Sequence, residues 1–205
     1  MYSAIFHGIF YNGNPGKCRR NCSNFCQKNT IDNLMTAYNG ENNAHVRYMA
    51  FSKKADEEGY GEVASLFRAA AAAEKVHFER HAEIIESLAG KPAVNIETPD
   101  VKSTKENLDR ALKGESYERD TMYPEFLKQA EQEMIPEAAD AFEDARAAEA
   151  VHAQLYENAI ASLESMKAEK KDLYVCPKCG NIVETITDPN CEICNTETIK
   201  FMKVN

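Results

Sequence analysis

Residues 72–77 read Ala-Ala-Glu-Lys-Val-His, and at an offset of 75, residues 147–152 read Ala-Ala-Glu-Ala-Val-His. Upstream of each copy a glycine-glutamate pair recurs, Gly40-Glu41 and Gly114-Glu115, at an offset of 74. The chain is therefore two copies of one helix pair. Each copy supplies a glutamate from its first helix and a Glu-x-x-His from its second, where residues three apart share a helical face. Six candidate ligands converge: Glu41, Glu74, His77, Glu115, Glu149 and His152. A single glutamate is ordinarily a solvated surface acid. Four of them gathered inside a bundle would cost several kcal/mol per charge unless cations or protons compensated. Hard carboxylate oxygens with added imidazole suit iron or manganese, and carboxylates can bridge two such cations. One position breaks the symmetry. Glu118 follows Glu115 by three residues, whereas the matching position of the first copy is Ala44. A spare carboxylate makes the two metal sites unequal and allows ligand exchange as a metal changes charge.

The repeat sits in a segment that is helical almost throughout, with Leu34, Ala37, Tyr38, Glu41, His45, Tyr48, Met49 and Ser52 recurring at spacings of three and four. Gly59-Tyr60-Gly61 closes the first helix and Gly90-Lys91-Pro92 the second. Residues 90–104, with Pro92 and Pro99, are long enough to carry the chain from one end of a bundle to the other. Ser103 or Thr104 caps the third helix, Pro124 predicts a kink within it, and Pro136 opens the fourth. An all-α four-helix bundle follows. Its short turn, long crossover between helices two and three, and second short turn resemble the ferritin-like bundles, whose di-iron sites use this set of glutamates and Glu-x-x-His pairs. His45 and His81, one turn beyond Glu41 and His77, are expected at the rim.

Composition excludes other classes. With 33 Asp and Glu against 24 Lys and Arg the net charge is −9, which lacks the basic field that nucleic acid or anionic lipid would attract. No stretch approaches the roughly 18 apolar residues of a membrane helix, and the start, MYSAIFHGIF, has no basic n-region of a secretory signal. A cytoplasmic protein is expected. Three segments emerge: an extension over 1–27, expected to be loosely ordered and of no assigned purpose; the bundle over 28–170; and a cysteine module over 171–205. All seven cysteines avoid the central segment. Cys18, Cys22 and Cys26 fit no cluster motif and are one ligand short of a tetrahedral site.

Cys176-Pro-Lys-Cys179-Gly and Cys191-Glu-Ile-Cys194 are two C-x-x-C knuckles that can wrap four thiolates around one metal. So short a segment builds little core, so a metal supplies its folding free energy, and a reducing compartment favours metal over disulfides. Iron and zinc both accept four tetrahedral thiolates.

GENNAHVRY at 40–48, AAEKVH, GESYERDTMYPEF at 114–126 and AAEAVH resemble the four helix motifs of the rubrerythrins, and the cysteines extend the resemblance over about residues 28–205. It implies a rubredoxin-like C-terminal domain with short β-strands holding iron at Cys176, Cys179, Cys191 and Cys194, zinc being the alternative. The second knuckle departs from that pattern, lacking its proline and glycine. At the di-iron site the resemblance implies Glu74 and Glu149 as bridges, Glu41 and Glu115 as terminal ligands, and His152 on the second iron. Glu118 and His77 exchange on the first iron, and Tyr48 and Tyr123 hydrogen-bond the ligand carboxylates. The activity implied is a non-haem di-iron peroxidase that reduces hydrogen peroxide to water in oxidative stress protection. Its electrons come from rubredoxin or an NAD(P)H-dependent rubredoxin reductase through the cysteine iron, because no dinucleotide fingerprint is present here. A homodimer is implied, with the cysteine domain near the other subunit's di-iron site. The competing readings are an iron-oxidising storage protein and a zinc-stabilised structural module.

Overall fold

The computed structural model describes the backbone of residues 18–167 and 169–205, and side chains from residue 30 onward. Helix α1 spans Cys18–Glu57, α2 Gly61–Ala89, α3 Thr104–Tyr117, α4 Tyr123–Gln132 and α5 Pro136–Ala161. A π-helical turn, Glu118–Met122, joins α3 to α4, so the two form one rod and the bundle has four. The expected extension over 1–27 lies outside the described residues up to 17. From Cys18 the backbone is helical and continuous with α1, because propagating a formed helix fixes only one residue per added bond. The side chains of Cys18, Cys22 and Cys26 lie outside the described residues.

The turns form where the sequence places them. Gly59 and Gly90 adopt φ of 81° and 88° at the ends of α1 and α2. Ser103 closes a capping box with Glu106, each side chain accepting the other's backbone N–H. The crossover of residues 90–103 is tied to α1 by two asparagines. Asn39 Oδ1 accepts from Asn95 N at 2.9 Å, and Asn43 Oδ1 accepts from Glu97 N at 2.8 Å while its Nδ2 donates to Asn95 O at 2.9 Å. At the far end Thr104 N donates to Glu58 Oε2 at 2.8 Å. These bonds satisfy an irregular backbone that has no ladder of its own. The kink expected at Pro124 takes the form of the π-turn just before it, since proline offers no N–H to the carbonyl of Asp120.

Two apolar clusters fill the bundle. One holds Tyr48, Phe51, Phe67, Leu108 and Tyr156, and the other Leu34, Ile85, Tyr123, Ile135 and Phe142. Every rod passes from one cluster to the other, and at each passage it carries one of the candidate glutamates. No helix among the described residues is long and apolar enough to cross a membrane.

Beyond a short 3-10 turn, Leu163–Met166, the chain forms β1 (Leu173–Val175), β2 (Ile182–Val183) and β3 (Met202–Val204). They make an antiparallel sheet in the order β2-β1-β3, with Tyr174 opposite both Val183 and Lys203. Leu173, Val175 and Ile182 are buried in the same cluster as Leu66 and Phe67 of α2. The module covers its own bundle, because its apolar strand face has a matching apolar stripe on α2.

Candidate metal centres

Glu41 of α1, Glu74 and His77 of α2, Glu115 of α3, and Glu149 and His152 of α5 are all at most 3% exposed, and Glu118 of the π-turn is 9% exposed. Their donor atoms form two sets. Glu41, Glu74, His77 and Glu149 offer atoms within 4.8 Å of one another, and so do Glu74, Glu115, Glu149 and His152. Glu74 and Glu149 belong to both sets, the position a bridging carboxylate occupies between two cations. Glu118 is buried among the same carboxylates but joins neither set.

Glu118 opens the π-turn. Glu41 and Tyr48 are seven residues apart, while Glu115 and Tyr123 are eight apart. Tyr123 N–H bonds to Glu118 O, five residues back, and the wider turn absorbs the extra residue. Repeat partners before the turn are offset by 74 and those after it by 75, which pairs Tyr48 with Tyr123 and Phe51 with Phe126.

Hydrogen bonding fixes both imidazoles. His77 Nε2 lies 2.9 Å from the carbonyl oxygen of Cys179, and His152 Nε2 lies 3.0 Å from that of Gly180. Carbonyls only accept, so each Nε2 carries a hydrogen and each Nδ1 faces the carboxylates. His77 Nδ1 is 3.1 Å from Glu74 Oε2 and 3.0 Å from Glu149 Oε1, and His152 Nδ1 is 2.6 Å from Glu149 Oε2. With its hydrogen on Nε2, each imidazole turns a lone pair rather than a donor toward Glu149. Glu41 Oε2, Glu74 Oε1, Glu115 Oε2, both oxygens of Glu149 and His152 Nδ1 are thus buried without a hydrogen-bond partner. So many convergent orphan lone pairs are costly for a protein interior and fit the coordination shell of two cations.

The electrostatics agree. Burial, then the Glu149 charge, pushes Glu41 and Glu115 up to about 7. Burial and the surrounding carboxylates push Glu74 and Glu118 well above the usual range. Burial also raises Glu149, but His77 and His152 outweigh it and hold that carboxylate below its ordinary value. The two imidazoles are lowered by burial and raised further by Glu149, ending well above normal. Without a cation, then, protons compensate the layer.

Tyr48 donates to Glu115 Oε1 at 2.8 Å, and Tyr123 donates to Glu41 Oε1. Each phenol thus reaches the glutamate of the other half of the repeat. Burial and the neighbouring glutamate keep both hydroxyls protonated, well above their usual range. His45 is half-buried, its Nδ1 2.6 Å from Ala71 O. His81 does not sit at the rim: it is 1% exposed and packs on Tyr123 and Phe142. The helical spacing gave its face, but its depth depends on α4 and α5.

In the cysteine module Cys176 and Cys194 Sγ are 3.5 Å apart and Cys179 and Cys191 Sγ 3.6 Å apart, with all four within 4.8 Å. A tetrahedral metal with thiolate bonds of about 2.3 Å sets an edge of about 3.8 Å, whereas a disulfide needs about 2.05 Å. The cysteines are free. A hydrogen bond from Cys179 leads the causes that bring Cys176 down to about 5, while the same bond and then burial push Cys179 up and burial pushes Cys194 up, so without a cation one thiolate shares the protons of its neighbours. The two knuckles match: Gly180 N bonds to Cys176 O at 3.1 Å and Asn195 N to Cys191 O at 2.9 Å. Gly180 has φ 75° and Asn195 φ 60°, so asparagine, which tolerates the left-handed region, takes the place of the missing glycine. Sequence reasoning missed the contact between the two centres. Its one trace is Gly180, where an added Cβ would lie 2.5 Å from His77 Nε2.

The family model for rubrerythrin matches residues 32–160. Nigerythrin of Nitratidesulfovibrio vulgaris is 37% identical over 166 residues, 80% of this chain and 81% of that protein. The solved structure of nigerythrin in a mixed-valent state matches with a TM-score of 0.79 at 33% identity, covering 85% of this chain and 86% of that one. The bacterioferritin of Desulfovibrio desulfuricans, whose structure is described by its diiron site, matches with a TM-score of 0.65 at 25% identity, over 71% of this chain and 85% of that one. The four rods therefore have the ferritin-like arrangement. A family model spanning most of the bundle, and a relative sharing over a third of its residues across four fifths of the chain, make this chain a member of the rubrerythrin family.

Proposed function

We propose that this chain is a di-iron peroxidase in which two electrons and two protons turn one hydrogen peroxide into two waters. The observation that carries this reading is the pair of hydrogen bonds from His77 and His152 to the carbonyls of Cys179 and Gly180. They join the cysteine set to the carboxylate set, a link that iron storage does not require and electron delivery does.

In this reading Glu74 and Glu149 would be the carboxylates shared by two irons, Glu41 and Glu115 would each hold one of them, and His152 would hold the second. Glu118 and His77 would be the alternative ligands of the first iron. Iron bound there supplies the electrons that cleave the O–O bond. The chain's own residues do the rest. Tyr48 and Tyr123 hold hydrogen-bonded protons against Glu115 and Glu41, offsetting carboxylate charge beside the reacting centre. The apolar clusters on either side exclude bulk water. Cys176, Cys179, Cys191 and Cys194 would hold a single iron suited to one-electron relay, with the bundle over 28–170 and the module over 171–205 acting as one unit. The donor is rubredoxin or an NAD(P)H-dependent rubredoxin reductase, the assembly a homodimer, and the compartment the cytoplasm.

The test is anaerobic stopped-flow absorbance. The fully reduced protein is mixed with stoichiometric hydrogen peroxide, and the ferric-thiolate band is followed. Return of the band faster with peroxide than with air is the expected result. Faster return with air would favour an oxidase or storage role, and a colourless cysteine site would mean zinc or no metal there.

A further inference from the structure

The repeat places two matching aromatic cages beside the carboxylate layer. Tyr48 packs on Phe67 and Tyr156 with ring centres 6.0 and 5.9 Å away, and Tyr123 packs on Phe142 and His81 at 5.9 and 6.1 Å. At the offset of 75, Tyr48 pairs with Tyr123, Phe67 with Phe142, and His81 with Tyr156. One member therefore differs in kind.

That difference reaches the glutamates. Tyr123 has one hydroxyl hydrogen and gives it to Glu41 Oε1. His81 Nε2 lies 3.2 Å from the same phenol oxygen, so with that hydrogen committed, Nε2 must be the donor. Glu41 Oε2 is left without a partner, facing the other ligands. In the other cage the Tyr156 hydroxyl has no partner. His81 Nδ1 is likewise buried without a partner. That cost is one an apolar side chain would avoid, so packing alone does not account for a histidine here.

We propose that His81 is a positioning residue. Its Nε2–H holds the Tyr123 phenol so that the phenol hydrogen rests on Glu41 Oε1, which presents Oε2 to a cation. The chain His81 to Tyr123 to Glu41 adds to the first half's tyrosine-glutamate pair a histidine whose place beside Tyr48 and Glu115 is taken by Tyr156. Burial, and then the charge of His77, brings His81 down to about 3, so its ring stays neutral with a single hydrogen to place.

The purpose assigned to His81 rests on the metal reading of the carboxylates, so two measurements are needed. On metal-free protein with nitrogen-15 histidine, NMR is expected to show His81 neutral with its hydrogen on Nε2. A hydrogen on Nδ1 would overturn the proposal whatever the metal. The second measurement titrates cobalt(II) into the carboxylate site by absorbance against a competing chelator. His81→Leu is expected to weaken binding on the order of tenfold, the lower end for residues that orient a ligand. His81→Gln, whose amide N–H reaches a similar point, keeps most of the affinity, and in a Tyr123→Phe background His81→Leu changes little. Equal loss with and without the Tyr123 hydroxyl, or no rescue by glutamine, would overturn the positioning role. A parent chain that binds no cobalt at the carboxylates would overturn the metal reading and the purpose given to His81 together.

Discussion

His77 Nε2 donates to the backbone carbonyl of Cys179 across 2.9 Å, so one candidate ligand of the carboxylate centre touches one candidate ligand of the thiolate centre. Residues 102 positions apart become adjacent steps of one path. The bond runs to backbone, so it survives any change of side chain at position 179 that keeps the fold.

Gly180→Ala tests that junction. Its Cβ would fall 2.5 Å from His77 Nε2, at a φ of 75° that costs an L-residue roughly 1–2 kcal/mol. We expect both centres to keep their metals while electron transfer between them slows at least tenfold and amide exchange over 173–183 rises. Unchanged transfer and exchange would show that the contact is dispensable.

Independent metal sites predict separable losses. Glu74→Ala removes a carboxylate common to both donor sets and should abolish metal binding in the bundle, leaving the thiolate band intact. Cys179→Ser should do the reverse. Metal analysis and visible absorbance report both, and joint loss in either variant would mean that the sites depend on each other.

Metal-free protein should be less stable at neutral than at mildly acidic pH. Glu41 and Glu115 titrate near 7 when folded against an ordinary 4.5, so across that window the folded state holds more protons than the unfolded one. Stability then falls as pH rises through it. His77 and His152, also raised, add in the same direction, and Glu149 opposes only below that window. Metal binding displaces these protons, so loaded protein should gain with pH instead. Urea midpoints of chelator-treated and loaded protein, compared across that range, check both signs.

Ser103→Ala removes one half of the capping box that ends the crossover. The cost should be about 1 kcal/mol, a shift in Tm of roughly 2–4 °C for a chain of this size. Metal content should not change, because Ser103 is remote from the carboxylate layer. A change in metal content on differential scanning and metal analysis would mean that the crossover strains the site.

The glutamates and histidines were legible because a repeat with helical spacing states both their face and their pairing. The four rods were legible from Gly59, Gly90, Ser103 and Pro136, each of which ends or starts a helix for a local reason. His81 was not, since a side chain's depth is set by helices far away in sequence; its alignment with Tyr156 held the clue. The docking of the cysteine module was hidden because its contacts run to the carbonyls of Cys179 and Gly180, and backbone leaves no signature in sequence. The π-turn was present as a count of eight residues where the first copy has seven, although Pro124 suggested only a bend.

That extra residue is held in one wide turn and so leaves the phase of everything after it unchanged. A helix advances about 100° per residue, so the same insertion in an unbroken α-helix would turn the whole of α4 by that angle about its axis. Tyr123 would leave Glu41, and Phe126 would rotate away from Phe142. Removing one residue from the π-turn would instead restore the seven-residue step of the first copy and make the two halves alike in space as well as in sequence.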